Sequence, residues 1–487
     1  MKSLSKILEK WEPVIGLEVH AQLSTDTKMF CGCRNMYGDP PNTHTCPVCL
    51  GLPGALPVAN EKAIEYTLKL GLALGCKISL KSHFARKNYF YPDLPKGYQI
   101  SQYNEPLCLG GSVTIRQNGE LKEIPLIRIH LEEDAGKSIH SADEKGTKID
   151  FNRCGVPLVE IVSAPEIRSP KEAREYLIRL KQILQYLGIC NCHMEQGNLR
   201  CDANISLRRK GEKPFGIRTE MKNMNSFRGV ERALFFEINR QAGLLESGKE
   251  VVQETRLWNE SEQKAEVMRG KEDAPDYRYF PEPDLVPMVI TEKQLASIRS
   301  DLVELPHEKE DRMLSDYGIR LNDAIILASD VHLVDYFEQI VELGVDPQEA
   351  VKWMLGVMLR VLKDEIYIIE SFPIKPNRLA TLLKAVGNGI VNINTAKSVF
   401  QKMLTSDKTA TQIIKEEGLM QVSDSEKLRT IIEGILLHHP DEVSRYRDGK
   451  KGLFGFFMGQ IMRKTRGQST PKIVKEILTE ILDGNKT

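Results

Sequence analysis

Apolar and polar residues alternate along the first long stretch of the chain. In residues 14–22 the odd positions from Ile15 to Val19 are apolar, whereas the even positions carry Glu18, His20 and Gln22. Because successive side chains of a β-strand point to opposite faces, this alternation predicts a strand with one buried face and one polar face. The buried face needs a sheet and a covering layer to complete its core.

The same two-faced pattern returns at four later places. In residues 127–132 the two predicted faces are Ile127, Ile129 and Leu131 against Arg128, His130 and Glu132. A lone Glu160 interrupts an apolar strand at 156–162, and the even positions are polar again in residues 200–208 and 218–222. Several strands of this kind predict an antiparallel sheet, with its apolar side on the core and its polar side forming the floor of a cleft.

Three consecutive carboxylates, Glu132, Glu133 and Asp134, end the strand predicted at 127–132. Neighbouring carboxylates repel one another unless a cation or a basic partner lies among them. The stretch is therefore either a solvated strand end or a site for a hard divalent metal. Carboxylates and an imidazole, without cysteine, on the polar faces of these strands suit Mg²⁺, which prefers oxygen ligands.

Four cysteines occur as two close pairs in a loop rich in glycine, proline and asparagine. They are spaced C-x-C-x12-C-x2-C, as Cys31, Cys33, Cys46 and Cys49. This spacing allows the tetrahedral thiolate ligation that structural Zn²⁺ requires, and four thiolates leave no open position for catalysis. The alternatives are four reduced thiols in a loop, or a ligand set that includes His44. The other cysteines have no partners at ligand spacing and are predicted to be small core residues.

Residues 83–99 combine aromatics, prolines and cations, among them Lys87 and Tyr91. The segment is either an ordered surface loop pinned by aromatic packing, or a set of cations and aromatics that holds a nucleotide or phosphate against the cleft floor. Further along, Asn118-Gly119 between two alternating runs predicts a type I′ hairpin. A phosphate-loop interpretation of residues 136–138 fails because position 131 is leucine and not glycine.

Helical periodicity appears between the strands and dominates from about Thr291 to the end. Helices are predicted at 60–74, at 169–188 with a capping box from Ser169 to Glu172, and at 227–248. The helical pattern is interrupted near residues 405–409. Beyond this interruption the chain is locally basic, with Arg445, Arg447, Lys450, Lys451, Arg463, Lys464, Arg466, Lys472 and Lys475. This stretch is either an exposed basic helix pair or a patch for phosphate backbones.

Composition narrows the class of protein. With 487 residues the chain is expected to form more than one domain, and with 67 Lys+Arg against 67 Asp+Glu any nucleic-acid binding must come from local patches. No apolar run approaches the roughly 18 residues that span a bilayer, and the N-terminus does not read as a signal peptide. We therefore expect a soluble cytoplasmic protein, without a membrane role, whose ten cysteines are thiols and metal ligands.

Five blocks of the sequence, in one order, give the chain a family resemblance. They are VIGLEVH from Val14 to His20, RKNYFYPD from Arg86 to Asp93, LEEDAGKS from Leu131 to Ser138, RCDANIS from Arg200 to Ser206 and DYRYFPEPD from Asp276 to Asp284. Together they resemble the GatB family, the B subunits of bacterial tRNA-dependent amidotransferases. The resemblance implies an α+β fold with an antiparallel-sheet catalytic cradle at 1–293, an all-helical domain at 294–405 and a small helical tail at 406–487 that binds tRNA.

The resemblance also implies an activity. The side-chain carboxylate of Glu-tRNA(Gln), Asp-tRNA(Asn) or both is phosphorylated with ATP and then amidated, with ammonia that a partner amidase, the A subunit, releases from glutamine. The small C subunit is the third member of the heterotrimer. By match to the family motifs, the Mg²⁺ contacts are Glu18, His20, Glu132, Glu133 and Glu160. The residues that hold nucleotide or the aminoacyl end are Lys87, Tyr91, Arg200, Asp202, Glu220 and Lys222, and the four loop cysteines hold zinc.

Two functions from other classes compete with this interpretation. One is a non-catalytic, zinc-bearing subunit that only binds tRNA, which ATP hydrolysis dependent on mischarged tRNA would exclude. The other is a self-contained amide ligase that uses free ammonia, which would not need a glutaminase partner.

Overall fold

The computed structural model describes residues 4–140, 146–270, 276–364, 367–420, 425–465, 469 and 471–484. The chain divides into two compact units, Met1–Lys309 and Glu310–Thr487. The strands lie in the first unit, and the second unit is helical in its described part. The predicted α+β class is thus confirmed.

The strands are β1 (Trp11–Gln22), β2 (Lys77–Ile78), β3 (Lys81–Ser82), β4 (Ala85–Asn88), β5 (Tyr98–Ser101), β6 (Cys108–Leu109), β7 (Ser112–Gln117), β8 (Glu120–Glu133), β9 (Lys137–His140), β10 (Thr147–Asp150), β11 (Pro157–Ser163), β12 (Leu199–Arg209), β13 (Thr219–Lys222), β14 (Glu254–Asn259), β15 (Lys264–Gly270), β16 (Phe280–Pro281) and β17 (Met288–Val289).

The helices are α1 (Leu4–Leu8), α2 (Glu61–Ala73), α3 (Pro170–Tyr186), α4 (Phe227–Glu246), α5 (Glu292–Ser300), α6 (Pro306–Tyr317), α7 (Leu321–Leu327), α8 (Val331–Glu342), α9 (Pro347–Trp353), α10 (Leu359–Asp364), α11 (Pro376–Gly387), α12 (Ile393–Leu404), α13 (Ala410–Glu416), α14 (Ser425–Leu437), α15 (Pro440–Arg447), α16 (Leu453–Lys464) and α17 (Pro471–Asp483). Short 3₁₀ turns occupy Met194–Gln196 and Ile369–Ser371, and a π-helical turn, Met354–Met358, joins α9 to α10.

One large sheet organises the first unit. Its strands follow the order β15-β14-β13-β12-β1-β11-β8-β6-β2, with β7 paired to β8. The pairs are antiparallel, as predicted, except for β13 and β14, which run parallel. Helix α4 lies between these two strands in the chain, and a helical crossover of this kind is what parallel neighbours require.

Helices cover the apolar face of the large sheet. The odd positions of β1 (Ile15, Leu17 and Val19) are fully buried in a core that also contains Tyr176 of α3 and Leu234 of α4. The predicted alternation of β1 is therefore confirmed, and α3 is one of the helices that cover the apolar side of the sheet.

Helix α3 begins at a cap that differs in part from the predicted capping box. The Ser169 hydroxyl accepts a hydrogen bond from the Glu172 backbone N–H at 3.1 Å. The Glu172 carboxylate accepts instead from the Arg168 N–H at 3.0 Å and from Lys122 at 2.7 Å. Glu172 thus ties the helix to the β7–β8 hairpin, whose turn, Asn118-Gly119, has positive φ at both residues, as a type I′ turn requires.

Strand β8 departs from the predicted alternation at Ile127. Val162 pairs with Arg128 but Ser163 pairs with Leu126, so Ile127 has no partner on β11 and forms a bulge. The bulge leaves Ile127 48% exposed and puts Leu126 on the core face, whereas Ile129 and Leu131 stay buried as predicted. The predicted core position of Ile127 is wrong because one extra residue shifts the alternation.

Strand β4 lies inside the segment that the sequence predicted as a loop, residues 83–99, and β5 begins at its end. Strands β4 and β5 pair with each other, and β16, from much later in the chain, adds to β4. Arg86 on β4 forms two hydrogen bonds of 2.7 Å with Glu282, and its guanidinium lies 4.2 Å from the centre of the Tyr98 ring. The aromatic segment after residue 276 is thereby fixed against β4.

The second unit consists of α-helices in its described part. Its last helices, α14 to α17, enclose a separate core that includes Leu428, Phe457 and Leu478. The basic stretch was predicted to be either an exposed helix pair or a patch for phosphate backbones. Of its residues, Arg466 and the side chain of Lys472 lie outside the described part of the chain, and the exposed ones are Arg445, Arg447, Lys450, Lys451, Arg463, Lys464 and Lys475. Every described helix of the chain is too short or too polar to cross a lipid bilayer.

Candidate active site

The register of the central strands aligns polar side chains in rows across the open face of the large sheet. His20 on β1 lies opposite Glu160 on β11 and opposite Arg200 on β12. Glu160 in turn lies opposite His130 on β8. This row of two histidines, a carboxylate and a guanidinium crosses the middle of the sheet, where the sequence predicted the floor of a cleft.

A compact cluster forms where this row meets Glu132. His20 Nε2 lies 3.2 Å from Glu160 Oε2, and His130 Nε2 lies 3.1 Å from Glu132 Oε1 and 3.7 Å from Glu160 Oε2. One ligand atom from each of His20, Glu132 and Glu160 lies within 4.8 Å of the other two. This spacing suits three ligands of one metal ion.

Neighbouring side chains fix the Glu132 carboxylate. Ser101 Oγ donates to Oε1 at 2.7 Å, and Gln99 Nε2 donates to Oε2 at 3.2 Å. Both come from β5, which begins inside the segment predicted as a loop and ends just beyond it. The sequence interpretation did not select these residues or His130, although His130 shares the polar face of β8 with Glu132.

The charges in the cluster shift its protonation equilibria. Burial alone would lower the pKa of His20, but the hydrogen bond and charge of Glu160 raise it above its ordinary value. Burial alone would raise the pKa of Glu132, but the hydrogen bond with His130 and the charges of His130 and Lys87 lower it. The pKa of Glu160 is lowered as well, because His20 and His130 outweigh burial and the charge of Glu132. Both carboxylates are therefore held as anions.

The three consecutive carboxylates diverge to separate partners. Glu132 joins the cluster, whereas Glu133 contacts Lys96 and accepts from the Ile100 N–H at 2.9 Å. Asp134 accepts from Gln22 Nε2 at 2.7 Å and from Arg200 Nη2 at 2.9 Å. Glu133, predicted as a metal contact, thus lies apart from the His20 cluster, because its carboxylate turns to a lysine on another segment.

A second polar group lies beside the cluster on β12 and β13. Asn204 Nδ2 donates to Glu18 at 2.8 Å, and Lys222 bridges Asp202 and Glu220. The pKa of Glu18 is raised by burial and by the charges of Glu160, Glu220 and Asp202. Glu18 therefore lies between the two groups, and a cation bound near it would relieve this repulsion.

Lys87 and several tyrosines face the cluster from the β4 side. Burial alone would lower the pKa of Lys87, but the carboxylates of Glu132 and Glu160 raise it. Its ammonium lies 4.9 Å from the centre of the Tyr277 ring, and Tyr279 stacks on Tyr103 with ring centres 4.0 Å apart. Tyr91, in contrast, is 59% exposed.

An open cavity of about 890 Å³ begins at Gln22 and Arg200. Its wall includes Asn198 from just before β12, Lys137 from β9 and Arg153 from the turn before β11. Cavities of this size hold small-molecule ligands. The cavity brings a mixed set of cations and amides to the edge of the carboxylate cluster.

The four loop cysteines come together as their spacing predicted. The sulfurs of Cys31, Cys33, Cys46 and Cys49 all lie within 4.8 Å of one another. The Cys46 N–H donates to Cys49 Sγ at 3.2 Å, and the Cys31 thiol lowers the pKa of Cys49, to about 5, by a hydrogen bond. The ring of His44 bonds Asp39 at 2.5 Å instead of joining the sulfurs. The remaining cysteines are buried, as predicted.

The chain is similar to one family of known proteins along nearly its whole length. Residues 13–296 match the family model described as the GatB/GatE catalytic domain, and residues 335–482 match the model described as the GatB domain. A protein of Thermodesulfovibrio yellowstonii is 52% identical over 474 residues, which cover 97% of this chain and 99% of that protein. A protein of Chlorobium luteolum is 50% identical over 98% of this chain and 100% of its own length. Each of these two relatives is named as the B subunit of an aspartyl/glutamyl-tRNA(Asn/Gln) amidotransferase.

Proposed function

The chain belongs to the GatB family, and on that premise we propose that its cleft activates the side-chain carboxylate of the amino acid on a mischarged tRNA. The protein is a subunit of a tRNA-dependent amidotransferase, a ligase that forms a carbon–nitrogen bond. The details of site, cofactors and partners below are parts of the proposal.

The proposed reaction has two stages. The side-chain carboxylate of Glu-tRNA(Gln), Asp-tRNA(Asn) or both is phosphorylated with ATP, and ammonia then displaces the phosphate to form the amide. We assign ammonia production to the amidase partner, the A subunit, which hydrolyses glutamine, and we place the small C subunit in the same heterotrimer. The place of action is the cytoplasm, where tRNA is charged.

One observation carries this proposal: His20, Glu132 and Glu160 gather three ligand atoms on the cleft floor within 4.8 Å of one another. Two carboxylates and an imidazole suit Mg²⁺, which usually keeps further positions for water and phosphate oxygens. Bound Mg²⁺ and ATP would supply the phosphoryl group and the positive charge that offsets the charge in transfer.

The chain's own side chains would prepare this site. A cation close to the cluster would stabilise the ionised form of Glu18, whose pKa is raised by burial and by neighbouring carboxylates. Glu133 is left out of the proposed Mg²⁺ ligands because it pairs with Lys96. Lys87 would hold an anionic phosphate or the substrate carboxylate beside the cluster, since its ammonium already faces Glu132 and Glu160.

The remaining predicted residues surround the place where substrate would enter. Arg200, held by Asp134, lines the large cavity and would bind phosphate or the aminoacyl end. Asp202, Glu220 and Lys222 would hold the nucleotide or the aminoacyl end from the far side of Glu18. Tyr91, exposed on its loop, offers a ring for stacking.

The clustered loop sulfurs support a structural zinc at Cys31, Cys33, Cys46 and Cys49. Elemental analysis of chain purified without chelator should find about one zinc per chain, as one four-thiolate site requires. A chain free of zinc under those conditions would reject this part of the proposal and leave the Mg²⁺ part intact.

The test of the activity compares two glutamates of the first unit that lie on polar strand positions. Glu132→Gln removes a negative ligand from the cluster and should slow ADP release dependent on Glu-tRNA(Gln) by about 10²–10³-fold, a loss typical of removing one electrostatic contact in catalysis. Glu12→Gln, on the strand of His20 but paired with Arg208, should retain near wild-type release. Binding of tRNA, measured for both variants, should persist.

The same assay decides between the competing functions. ADP release that stays near wild type in Glu132→Gln would contradict the assigned metal site. Absence of any ATP hydrolysis dependent on mischarged tRNA would favour a purely tRNA-binding role. Amide formation from glutamine in the absence of the amidase partner would favour a self-contained ligase.

A further inference from the structure

A lysine lies fully buried beneath the cysteine loop. Lys28 is 0% exposed, and its ammonium donates to the carbonyl oxygens of His44 at 2.6 Å and Phe151 at 3.3 Å. Its remaining contact is with Cys49 Sγ, at 3.8 Å. Within the described ranges of the chain, no carboxylate forms an ion pair with Lys28. The cysteine cluster is thus the anionic group that this ammonium touches.

The charges of lysine and cysteines complement each other. A buried ammonium is costly unless an anion offsets its charge, and the same holds for a buried anion. Four thiolates around one zinc ion leave an excess of about two negative charges. We propose that Lys28 is a positioning residue that offsets this excess and so strengthens zinc binding. This inference rests on the proposed zinc site.

Lys28 also joins the cysteine loop to a turn that supports the cleft. Phe151 begins a turn in which the Gly155 N–H donates to the Asp134 carbonyl at 2.8 Å and the Asp134 N–H donates to the Val156 carbonyl at 2.8 Å. The Met29 N–H, next to Lys28, donates to the Gly155 carbonyl at 2.7 Å. Lys28 and Met29 therefore connect the cysteine loop to the turn that holds the backbone of Asp134.

A role limited to the two carbonyl oxygens is the competing explanation, and Asn152 provides a matched control for it. Asn152 Oδ1 accepts from the His44 N–H at 2.8 Å, and Nδ2 donates to the Pro40 carbonyl at 2.8 Å. Its side chain thus joins the same two segments that Lys28 joins. Asn152→Ala removes hydrogen bonds between them and leaves the charge at the sulfurs unchanged.

The experiment measures the zinc affinity of the full-length chain by competition with a chromophoric chelator. Lys28→Met should lower the affinity by about 10–100-fold, the usual range for loss of a partner just outside the ligands. Asn152→Ala should lower it distinctly less. Circular dichroism at saturating zinc checks that both variants fold. Unchanged affinity in Lys28→Met, or equal losses in both variants, would overturn the proposal, whereas a wild-type chain that binds no zinc would reject the zinc site itself.

A double-mutant cycle separates charge from packing even where Lys28→Met disturbs the core. Cys33→His exchanges one thiolate for a neutral ligand in a set that zinc accepts, and it lowers the excess negative charge by one. The penalty of Lys28→Met on zinc affinity should then be smaller in the Cys33→His chain than in wild type, which is a non-additive result. Equal penalties in the two backgrounds would show that Lys28 acts through its carbonyl contacts alone.

Discussion

At the scale of single residues, neighbouring charges and hydrogen bonds together outweigh burial in setting the protonation of His20, Glu132 and Glu160. His20 has a raised pKa because Glu160 and Glu132 stabilise the imidazolium. Glu132 and Glu160 have lowered pKa values and stay ionised well below neutrality. Near neutral pH, His20 is therefore the proposed ligand whose protonation competes with metal.

This competition predicts how metal binding depends on pH. A histidine binds metal only after losing its proton, and the pKa of His20 lies above its ordinary value of 6.5. Affinity for Mg²⁺, or for Mn²⁺ as a spectroscopic substitute, should therefore fall as the pH drops from about 8 to about 6. Titration of the free chain at several pH values measures it.

The control for this pH dependence is His20→Asn, which cannot titrate. The variant should bind metal more weakly at high pH and show a flatter profile over the same range. A wild-type affinity that stays constant across this range would remove His20 from the metal site.

At the scale of elements, a buried ion pair between Arg86 and Glu282 ties β4 to the end of β16 in the small sheet β16-β4-β5, beside a more exposed pair of Arg86 with Asp284. The Glu282 side chain is fully buried, and Arg86, 18% exposed, engages both of its oxygens. The pair holds β16 on β4 and thereby places Tyr277 and Tyr279 beside Lys87. An ion pair this buried stabilises little by itself, but loss of one partner leaves an unpaired buried charge.

Arg86→Met should therefore lower the free energy of unfolding of the first unit by about 3–5 kcal/mol. Arg86→Met combined with Glu282→Leu should recover much of this loss, because no buried charge then remains. Chemical denaturation followed by tryptophan fluorescence measures both.

Lys62→Met offers the comparison at the surface. Lys62 pairs with Glu65 on α2, and both side chains are exposed. Loss of such a pair should change stability by less than about 1 kcal/mol. A loss in Arg86→Met no larger than in Lys62→Met would mean that the Arg86–Glu282 pair does not hold β16.

At the scale of the whole molecule, the last four helices form a part with its own core. Leu428, Phe457 and Leu478 pack together within α14–α17, whereas α13 packs against α11 and α12. We propose residues 406–487 as the tRNA-binding tail, and a deletion that begins at Ser425 removes its separate core while keeping α13 in place.

Deletion of residues 425–487 should weaken tRNA binding and flatten its dependence on salt. Each lost phosphate contact reduces the magnitude of the negative slope of log affinity against log salt by about 0.7–0.9. Filter binding at several salt concentrations measures it for the deletion and for Arg463→Ala with Lys464→Ala. Lys415→Ala, an exposed lysine on α13, should leave the slope unchanged. Wild-type affinity and slope in the deleted chain would identify the basic patch as a solvated surface.

Alternation allowed the sequence to predict which face of β1 and β12 is polar, and spacing allowed it to predict that four sulfurs meet. These are local patterns, and each fixes the geometry of its own segment. The bulge at Ile127 was not predictable in this way, because it depends on how β11 pairs with β8. Strands β4 and β5 were missed because β16, which completes their sheet, comes almost two hundred residues later.

The candidate site shows the same limit. Sequence selected Glu132 and Glu133 together, since adjacent carboxylates look alike in a linear pattern. The structure separates them because Glu133 forms an ion pair with Lys96, whereas Glu132 accepts hydrogen bonds from Ser101 and Gln99. The proposed role of Lys28 also had no linear signal, since its meaning depends on the burial of its ammonium against Cys49.

The central position of β1 has a consequence for synthesis on the ribosome. This strand is synthesised before the other described strands of its sheet, yet its partners are β11 and β12. Glu18 therefore cannot pair until Val162 and Asp202 have been synthesised. At about 5–20 residues per second, the nascent chain carries an unpaired apolar strand for roughly 10–40 s before β12 is complete. The β7–β8 hairpin closes locally during that time, whereas β1 offers an open edge to other chains. Slow translation or a shortage of chaperones before residue 209 should therefore reduce the yield of folded protein. The same disturbance after residue 209 should reduce that yield less.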